Sequence, residues 1–282
     1  SSDGNHFVYI GQGDQLGEVG YEGRVYEWVE SAGNRSSPFP GDTGEWLQLG
    51  SDLPVVGHKA AIVHTPTSAN KDGDDSYSVR VGLGVQSSVR VYDWDDFSYE
   101  WVPVGRPSVV ENAWTPSCLD VSSSGQRIIV GVQEREVVYV LDYSSSKEDW
   151  EITATIVGHL LSRLFGYTCS ISSDGSRFAV GAPKAGDGDS YTRPGLVLIY
   201  EEDGERQWKI IGEIRGERPQ NLGNSVSLAA NGERVAVGLG LADHIEVYDY
   251  NPDDGNKKWN MVGESIPGVV FNFLDGPTVA LT

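Results

Sequence analysis

The chain has 282 residues, 39% of them hydrophobic, and its 41 acidic against 21 basic residues give a formal net charge of -20. Because no Lys or Arg cluster offsets this charge, nucleic acids and anionic membrane surfaces are not expected partners. No apolar run is long enough for a transmembrane helix, and the N-terminus lacks the apolar stretch of a signal peptide. A solvated acidic surface explains the charge most simply, and cation binding is the alternative.

The chain is built from copies of one unit, and the clearest copy is residues 165–216. In it, two short apolar runs flank the turn at 173–175, a third run spans 196–200, and a fourth starts at Trp208. This spacing predicts four antiparallel strands, A to D, joined by tight turns. One such sheet cannot bury both of its faces, so the copies are expected to pack around an axis as an all-β propeller.

The first unit, 1–53, has a turn at 1–4 followed by strand B, strand C at 23–28 and strand D at 46–50, but it lacks strand A. The loop between strands C and D is long and rich in turn-forming residues. It carries the Asn-x-Ser sequon at 34–36, which makes Asn34 a candidate glycosylation site.

Four further units follow at 54–106, 107–158, 159–216 and 217–268, and the tail 269–282 contains a run like strand A. That run can pair with the first unit and close the ring, which removes exposed strand edges. Strand D opens with tryptophan in five places, so we predict one domain of five blades. Because the tail also holds a further run like strand B, part of a six- or seven-bladed propeller is the alternative.

The tryptophans that open the D strands are predicted to pack between the outer strands of one blade and its neighbour. They are Trp46, Trp101, Trp150, Trp208 and Trp259.

The two cysteines lie on the A strands of adjacent units. Cys169 comes six residues before the turn glycine Gly175, whereas Cys118 comes seven before Gly125. Their side chains should therefore point to opposite faces of their strands. We expect no disulfide between them, and we interpret Cys169 as a small core residue.

Two motifs of the fourth unit, Leu-Phe-Gly-Tyr at 164–167 and Val-Gly-Ala-Pro at 180–183, stand where the FG-GAP repeats of integrin α-chain propellers carry similar elements. With its Trp-x-x-x-Gly and Ser-x-Asp-Gly signatures, the chain resembles still more the FG-GAP-like repeats of extracellular proteins from microalgae and bacteria. The resemblance implies a secreted, cell-surface or lumenal module that takes part in adhesion by binding a protein or a glycan.

Integrin-type repeats bind Ca²⁺ in a loop between strands A and B, where alternate side-chain oxygens surround the ion. Most of the matching loops here are reduced to short hairpin turns. The second unit is the exception, since Asn70, Asp72, Asp74 and Ser78 stand at ligand positions of a longer loop. A second, weaker Ca²⁺ candidate is the loop of the fourth unit that carries Asp187 and Asp189.

No nucleophile elbow, P-loop or dinucleotide fingerprint is present, so the sequence assigns no catalytic residue. His58 and His159 each follow a glycine where strand D crosses to the next strand A, and Glu217 stands at the matching place. Equivalent positions converge near one mouth of a propeller channel, so these residues are a candidate metal or acid/base cluster. No carboxylate is expected to be buried in an apolar run, and none is predicted to have a raised pKa.

Uneven loops on a regular scaffold favour a binding or structural module without catalysis, with the loops 65–75, 186–193 and 32–44 as its contact surface. The first alternative is a hydrolase or lyase that acts on a sugar or lactone at the channel mouth. The second is one segment of a larger structural assembly. No cofactor is expected apart from the candidate Ca²⁺.

Overall fold

The computed structural model describes residues 6–15, 18–30, 44–53, 59–66, 77–109, 115–158, 163–186, 193–217, 219–241, 244–254, 258–267 and 279–281. Within these ranges the regular structure is entirely β-strand. No helix long and apolar enough to cross a membrane occurs in the described part of the chain.

The strands are short and are joined mostly by tight turns. In chain order they are β1 His6–Gln15, β2 Glu18–Glu30, β3 Gly44–Gln48, β4 Lys59–Pro66, β5 Tyr77–Val85, β6 Ser88–Asp95, β7 Glu100–Pro103, β8 Ser108–Val109, β9 Cys118–Val121, β10 Arg127–Val132, β11 Val137–Ser144, β12 Asp149–Val157, β13 Thr168–Ile171, β14 Arg177–Ala182, β15 Leu196–Glu202, β16 Trp208–Arg215, β17 Leu222–Leu228, β18 Arg234–Leu239, β19 His244–Tyr250, β20 Trp259–Met261 and β21 Ile266–Pro267.

These strands form five antiparallel sheets, which confirms the predicted five-bladed propeller. Blade 1 contains β1 to β3, blade 2 contains β4 to β8, blade 3 contains β9 to β12, blade 4 contains β13 to β16, and blade 5 contains β17 to β21. In blades 2 and 5 the fourth strand is broken in two, so that β8 rejoins β6 and β21 rejoins β19.

Each hydrophobic cluster joins two consecutive blades, because both faces of a blade are covered by neighbours. Strand β10 shows this directly. Ile128 and Val130 pack into the cluster shared with blade 2, whereas Ile129 between them packs into the cluster shared with blade 4. A strand covered on both faces is apolar at successive positions, which is why these strands show little alternation.

The Trp-x-x-x-Gly signature is a contact between blades. A Cβ atom on Gly105 would lie 3.1 Å from Cδ1 of Trp150, and one on Gly212 would lie 2.4 Å from Cδ1 of Trp259. Each indole therefore packs on the glycine of the preceding blade. Trp101, Trp150 and Trp259 are buried, and Trp208 is half-buried beside blade 3. The predicted packing was wrong for Trp46, which is exposed on blade 1 and contacts Phe7 and Trp28 of the same blade.

A second repeated contact is made by an arginine in the second strand of a blade, opposite an acidic residue of the third strand, and we call it the arginine latch. In blade 3, Arg127 donates to Asp142 on the neighbouring strand at 2.6 Å. It also donates to Glu202 at 2.7 Å and to the Gly175 carbonyl at 3.0 Å, both in blade 4. Its guanidinium carbon lies 5.4 Å from the ring centroid of Trp208. One side chain thus binds two consecutive blades.

The other blades repeat the arginine latch with changes. Arg80 donates to Asp93 and to the Gly125 carbonyl of the next blade, and Arg177 donates to Glu201 and to the Gly232 carbonyl. In blade 5 the latch is the ion pair of Arg234 and Asp249, and in blade 1 the same position, opposite Glu27, is taken by His6.

Cys118 and Cys169 form a disulfide with their Cα atoms 5.7 Å apart, so the prediction of no bridge was wrong. The two side chains do point to opposite faces of their own strands, since Leu119 packs towards blade 2 and Cys169 towards blade 3. Opposite faces of consecutive blades, however, face each other across their shared interface. The prediction failed because it considered each blade separately.

Candidate active site

The innermost strands of blades 2 to 5 surround an axial cavity of about 340 Å³. Ligand sites usually fall between about 300 and 1,000 Å³. The lining combines apolar side chains with a few polar groups: Ile62, Val63, Asp120, Val121, Ser123, Ser170, Ile171, Ser173, Ser227, Leu228, Ala230 and Leu281.

Side chains of the innermost strands accept hydrogen bonds from the backbone of the following blade, and we call this set the inner-strand ladder. Ser170 Oγ accepts from the N–H of Leu228 at 3.1 Å, and Ser227 Oγ accepts from the N–H of Leu281 at 2.9 Å. Leu281 therefore stands where the innermost strand of blade 1 is expected. The remainder of the tail, 269–278 and 282, lies outside the described residues.

Asp120 occupies the serine position of this ladder in blade 3. Its Oδ2 accepts from the N–H of Ile171 in blade 4 at 2.9 Å, and its Oδ1 accepts from the N–H of Val121 at 2.9 Å. In blade 2 the matching residue is Ala61, whose side chain cannot accept a hydrogen bond from the N–H of Val121. Asp120 accepts that hydrogen bond instead. A carboxylate at this position thus satisfies two backbone donors that a serine could not both reach.

Burial raises the pKa of Asp120 above its usual value. The hydrogen bonds from Ile171, Val121 and Ser170 favour the ionised form and oppose this shift, but they do not cancel it. The carboxyl is enclosed by protein while still touching the cavity, so water can reach it. A carboxyl that gains and loses its proton closer to neutral pH is suited to acid/base catalysis.

The sequence interpretation missed Asp120, because the run Cys118–Val121 was taken as an ordinary inner strand. The expectation that no carboxylate would be buried with a raised pKa was therefore wrong. The available signal was a comparison of matching positions across the units, in which Ala61, Asp120, Ser170 and Ser227 are equivalent and only one is acidic.

Serine hydroxyls supply hydrogen-bond donors at one mouth of the cavity. Ser123 N–H donates to the Ser173 carbonyl at 2.9 Å, and Ser173 N–H donates to the Ala230 carbonyl at 2.8 Å, which fixes this rim through the backbone. Among the described residues, the hydroxyls of Ser123 and Ser173 have no hydrogen-bond partner. They are available to bind a polar molecule in the cavity.

A histidine pair lies beside this mouth, between blades 1 and 2. His64 is two residues after the cavity residue Ile62 on β4, and its Nε2 lies 2.7 Å from Nδ1 of His6. Nε2 of His6 lies 3.6 Å from Glu27. The sequence interpretation did not single out either residue.

The predicted channel-mouth cluster cannot be placed as a group. His58 and His159 lie outside the described residues. Glu217 is exposed, its N–H donates to Gln220, and it precedes β17, whereas the serine rim follows the innermost strands. It therefore lies at the other end of the cavity from Ser173.

The predicted Ca²⁺ ligands are likewise outside the described residues, with one exception. Asn70, Asp72, Asp74, Asp187 and Asp189 are not described, nor is the glycosylation candidate Asn34. Ser78 lies on β5, and its hydroxyl donates to the Trp94 carbonyl at 2.9 Å. In the part of the chain that is described, no three His, Cys, Asp or Glu side chains lie close enough together to hold a metal ion.

Comparison with known proteins found no matching family model and no matching curated protein. Solved structures do match. A periplasmic gluconolactonase of Pseudomonas aeruginosa is 14% identical with a TM-score of 0.57, and the match covers 95% of this chain and 70% of that one. A candidate 6-phosphogluconolactonase of Bacteroides uniformis is 13% identical with a TM-score of 0.52 and coverages of 95% and 84%. A Lactobacillus plantarum protein is 10% identical with a TM-score of 0.58 and coverages of 95% and 68%.

These matches correct the assignment to the FG-GAP, integrin-like family. Two of the matching structures are named as a gluconolactonase and a candidate 6-phosphogluconolactonase, and no family model matches, FG-GAP included. The signatures that suggested that family have a structural origin in this chain, since Trp150 packs on Gly105 and Arg127 binds the carbonyl of the turn residue Gly175. Such contacts serve blade packing and do not identify a family.

The same structures correct the functional expectation. The sequence interpretation preferred an adhesion module without catalysis, whereas two of the matching structures are named as lactonases. These names agree better with the alternative, a hydrolase that acts on a sugar or lactone, than with an adhesion module.

Proposed function

We propose that the protein is a hydrolase that opens a small sugar lactone in the axial cavity, with Asp120 as the general base. The observation that carries the proposal is a carboxyl with a raised pKa on the wall of a cavity of about 340 Å³ whose rim presents free serine hydroxyls. The likeness to named gluconolactonases supports the substrate class.

In the proposed reaction, ionised Asp120 takes a proton from a water molecule as that water attacks the carbonyl carbon of the lactone. The ester bond to the ring oxygen then breaks, and the protonated carboxyl returns its proton to the departing alkoxide. A general base of this kind typically contributes about 10²- to 10⁴-fold to the rate. The hydroxyls of Ser123 and Ser173 are placed to donate to the carbonyl oxygen as negative charge develops on it.

The composition of the cavity favours an uncharged substrate. Its lining contains one acidic side chain, several serines and apolar residues, and no Lys or Arg belongs to the described lining. A phosphorylated lactone would place its charge near Asp120 without a guanidinium or ammonium group to bind it. We therefore expect a neutral aldonolactone to be preferred to its phosphate ester.

The disulfide supports a location outside the reducing cytosol. Cys118 and Cys169 are bonded, and disulfides persist mainly in secreted, periplasmic or lumenal proteins. The expectation of a glycan or protein partner stays a prediction, because much of the proposed contact loops lies outside the described residues.

The test is hydrolysis of δ-gluconolactone, followed in a pH-stat above the spontaneous rate. Asp120→Asn should lower kcat by at least about 100-fold. The activity of the wild type should rise as the pH increases through the raised pKa of Asp120, because the base must be ionised. Asp203→Asn is the matched control, since that carboxyl pairs with Lys209 in a turn of blade 4 and does not line the cavity.

Full activity in folded Asp120→Asn, checked by near-UV circular dichroism, would overturn the proposal. Absence of lactone hydrolysis by the wild type would do the same. If Asp120→Asn does not fold, Ser173→Ala gives the second test, and it should lower kcat by about tenfold, as expected for loss of one hydrogen-bond donor to the developing charge.

A further inference from the structure

The outer edge of blade 2 contains a second cavity, formed where its fourth strand is interrupted. Strand β7 pairs with Tyr92–Asp95 of β6, and β8 pairs with Ser88 and Val89. Between them the chain leaves β6 at Gly105, whose φ of 72° suits glycine. Arg90, in the uncovered part of β6, therefore pairs with Leu83 of β5 on one side and has no strand on the other.

This gap is a cavity of about 510 Å³ that is separate from the axis. Its walls are mainly aromatic, aliphatic and proline side chains, with two arginines: Arg90, Val91, Tyr92, Trp101, Pro103, Gly105, Arg106 and Pro107. We call it the blade 2 pocket.

Two buried donors of the blade 2 pocket have no partner. Nε of Arg90 and Nε1 of Trp101 are buried without a hydrogen bond, and Trp101 is only 6% exposed. Arg90 has no ion pair with any described residue. By contrast, the equivalent indole Nε1 of Trp150 in blade 3 donates to the Val104 carbonyl at 3.0 Å. A buried donor without a partner destabilises the protein, so this arrangement favours a bound acceptor.

Blade 5 has the same interruption, and Nε1 of its Trp259 is likewise buried without a hydrogen bond, but its charged residue at this place is paired. Its β20 and β21 both pair with β19, and the residue matching Arg90 is Glu246. Glu246 accepts from the Tyr248 hydroxyl at 2.6 Å and from the Ser265 hydroxyl at 3.1 Å. A broken fourth strand is therefore compatible with a paired charge, and blade 2 differs from blade 5 in the unpaired Arg90.

The second arginine lies at the rim of the blade 2 pocket. Its side chain is 87% exposed and donates to Asp149 of blade 3, so Arg106 is already paired. Arg90 is thus the charge that lacks an acceptor, and a carboxylate is the group that matches a guanidinium and an indole N–H together. Tyr92 and Trp101 provide flat surfaces for an apolar ring.

We propose that the blade 2 pocket binds a small aromatic carboxylate, with its carboxylate on Arg90 Nε and Trp101 Nε1 and its ring against Tyr92 and Pro103. This site is independent of the proposed hydrolysis at the axis. It is a binding site, and no chemical step is assigned to it.

The experiment is calorimetric titration of the whole protein at low salt with benzoate, phenylacetate and indole-3-acetate, each compared with its neutral amide. At least one carboxylate should bind ten times or more tightly than its amide. Arg90→Gln should weaken that binding by at least tenfold, and Trp101→Phe, which keeps the ring but removes the donor, by about threefold or more. The exposed Arg135→Gln is the matched control and should bind within twofold of the wild type.

The proposal is overturned if no carboxylate binds more tightly than its amide, or if folded Arg90→Gln binds as the wild type does. If Arg90→Gln does not fold, a measurement on the wild type tests the site instead. The indole ¹⁵N–H resonance of Trp101, assigned by its absence in Trp101→Phe, should move on addition of the carboxylate and not of the amide. An unmoved resonance would contradict the site. Lactone hydrolysis should be unchanged in Arg90→Gln, so this test is independent of the proposed catalytic role of Asp120.

Discussion

The interface between blades 3 and 4 and the interface between blades 1 and 2 use the same positions with different residues. In the first, Arg127 binds Asp142, Glu202 and a backbone carbonyl, and a disulfide joins the innermost strands. In the second, His6 stands at the latch position, 2.7 Å from His64 and 3.6 Å from Glu27.

The difference shows that equivalent positions of a repeat can stabilise their interfaces unequally. A guanidinium offers five donors in a fixed plane, whereas an imidazole offers at most two. The interface of blades 3 and 4 also holds a covalent bond, which the described part of the interface between blades 1 and 2 does not. We therefore expect the ring to open first beside blade 1.

The largest expected effect comes from removing the disulfide. The bridge closes a segment with a sequence separation of 51 residues. Replacing both cysteines, Cys118→Ser with Cys169→Ser, should lower the free energy of unfolding by about 4 kcal/mol on the loop-entropy account. Urea unfolding measures this, and a thiol reductant should destabilise the wild type but leave the double variant unchanged. Equal stability of the two proteins would contradict the prediction.

The next effect concerns the latch of blade 3. Arg127→Ala should lower the free energy of unfolding by about 3 kcal/mol, because it leaves two mostly buried carboxylates, Asp142 and Glu202, without their partner. The control is Lys147→Ala, which removes an exposed ion pair with Glu151 and should cost less than about 0.5 kcal/mol. Equal losses of unfolding free energy in the two variants would contradict the prediction that the arginine latch stabilises the fold more than an exposed ion pair does.

The loss of stability in Arg127→Ala should depend on pH. Burial opposes ionisation of Asp142, but hydrogen bonds from Arg127 and Thr153 outweigh it and hold the pKa below its usual value. A carboxyl with a lowered pKa stabilises the fold above its unfolded pKa of about 3.9, and this contribution is lost as the pH falls through the folded value. The stability difference between wild type and Arg127→Ala should therefore be full at pH 7 and shrink below about pH 4.

The smallest expected effect comes from giving blade 1 the arginine latch that blade 4 has. Arg177 stands opposite Glu201 as His6 stands opposite Glu27, and His64 stands at the position of Ser173. The pair His6→Arg with His64→Ser should raise the free energy of unfolding by about 1 kcal/mol. His6→Arg alone should gain less, because the His64 ring still occupies the space beside it. A loss of stability in the double variant would show that the histidine pair is the better contact.

The fold could be predicted because its signals are local and repeated. The turn glycines Gly125, Gly175 and Gly232 have φ values of 65°, 74° and 68°, so each hairpin is encoded in a few adjacent residues. The contact of Trp150 with Gly105 recurs in that of Trp259 with Gly212, and each glycine is the fourth residue after a tryptophan. Such signals define the blade and its neighbour, and they say little about what the propeller binds.

The site could not be predicted in the same way, because it depends on relations between blades. The meeting of Cys118 with Cys169 and that of Asp120 with Ile171 both require two inner strands to be placed side by side. The blade 2 pocket depends on an interruption after Pro103 that leaves Arg90 uncovered. A reading of one unit at a time contains none of this information.

The inner-strand ladder has a direction, and this limits how such a ring could be enlarged. Blade 4 offers the acceptor Ser170 to its successor and supplies the N–H of Ile171 to its predecessor's Asp120. In a tandem duplication of this blade, Ser170 of the first copy would accept a hydrogen bond from the N–H of Ile171 in the second copy. Every hydrogen bond of the inner-strand ladder would then be kept. A tandem duplication of blade 2 would leave one backbone N–H of the second copy without an acceptor, since the side chain of Ala61 cannot accept a hydrogen bond.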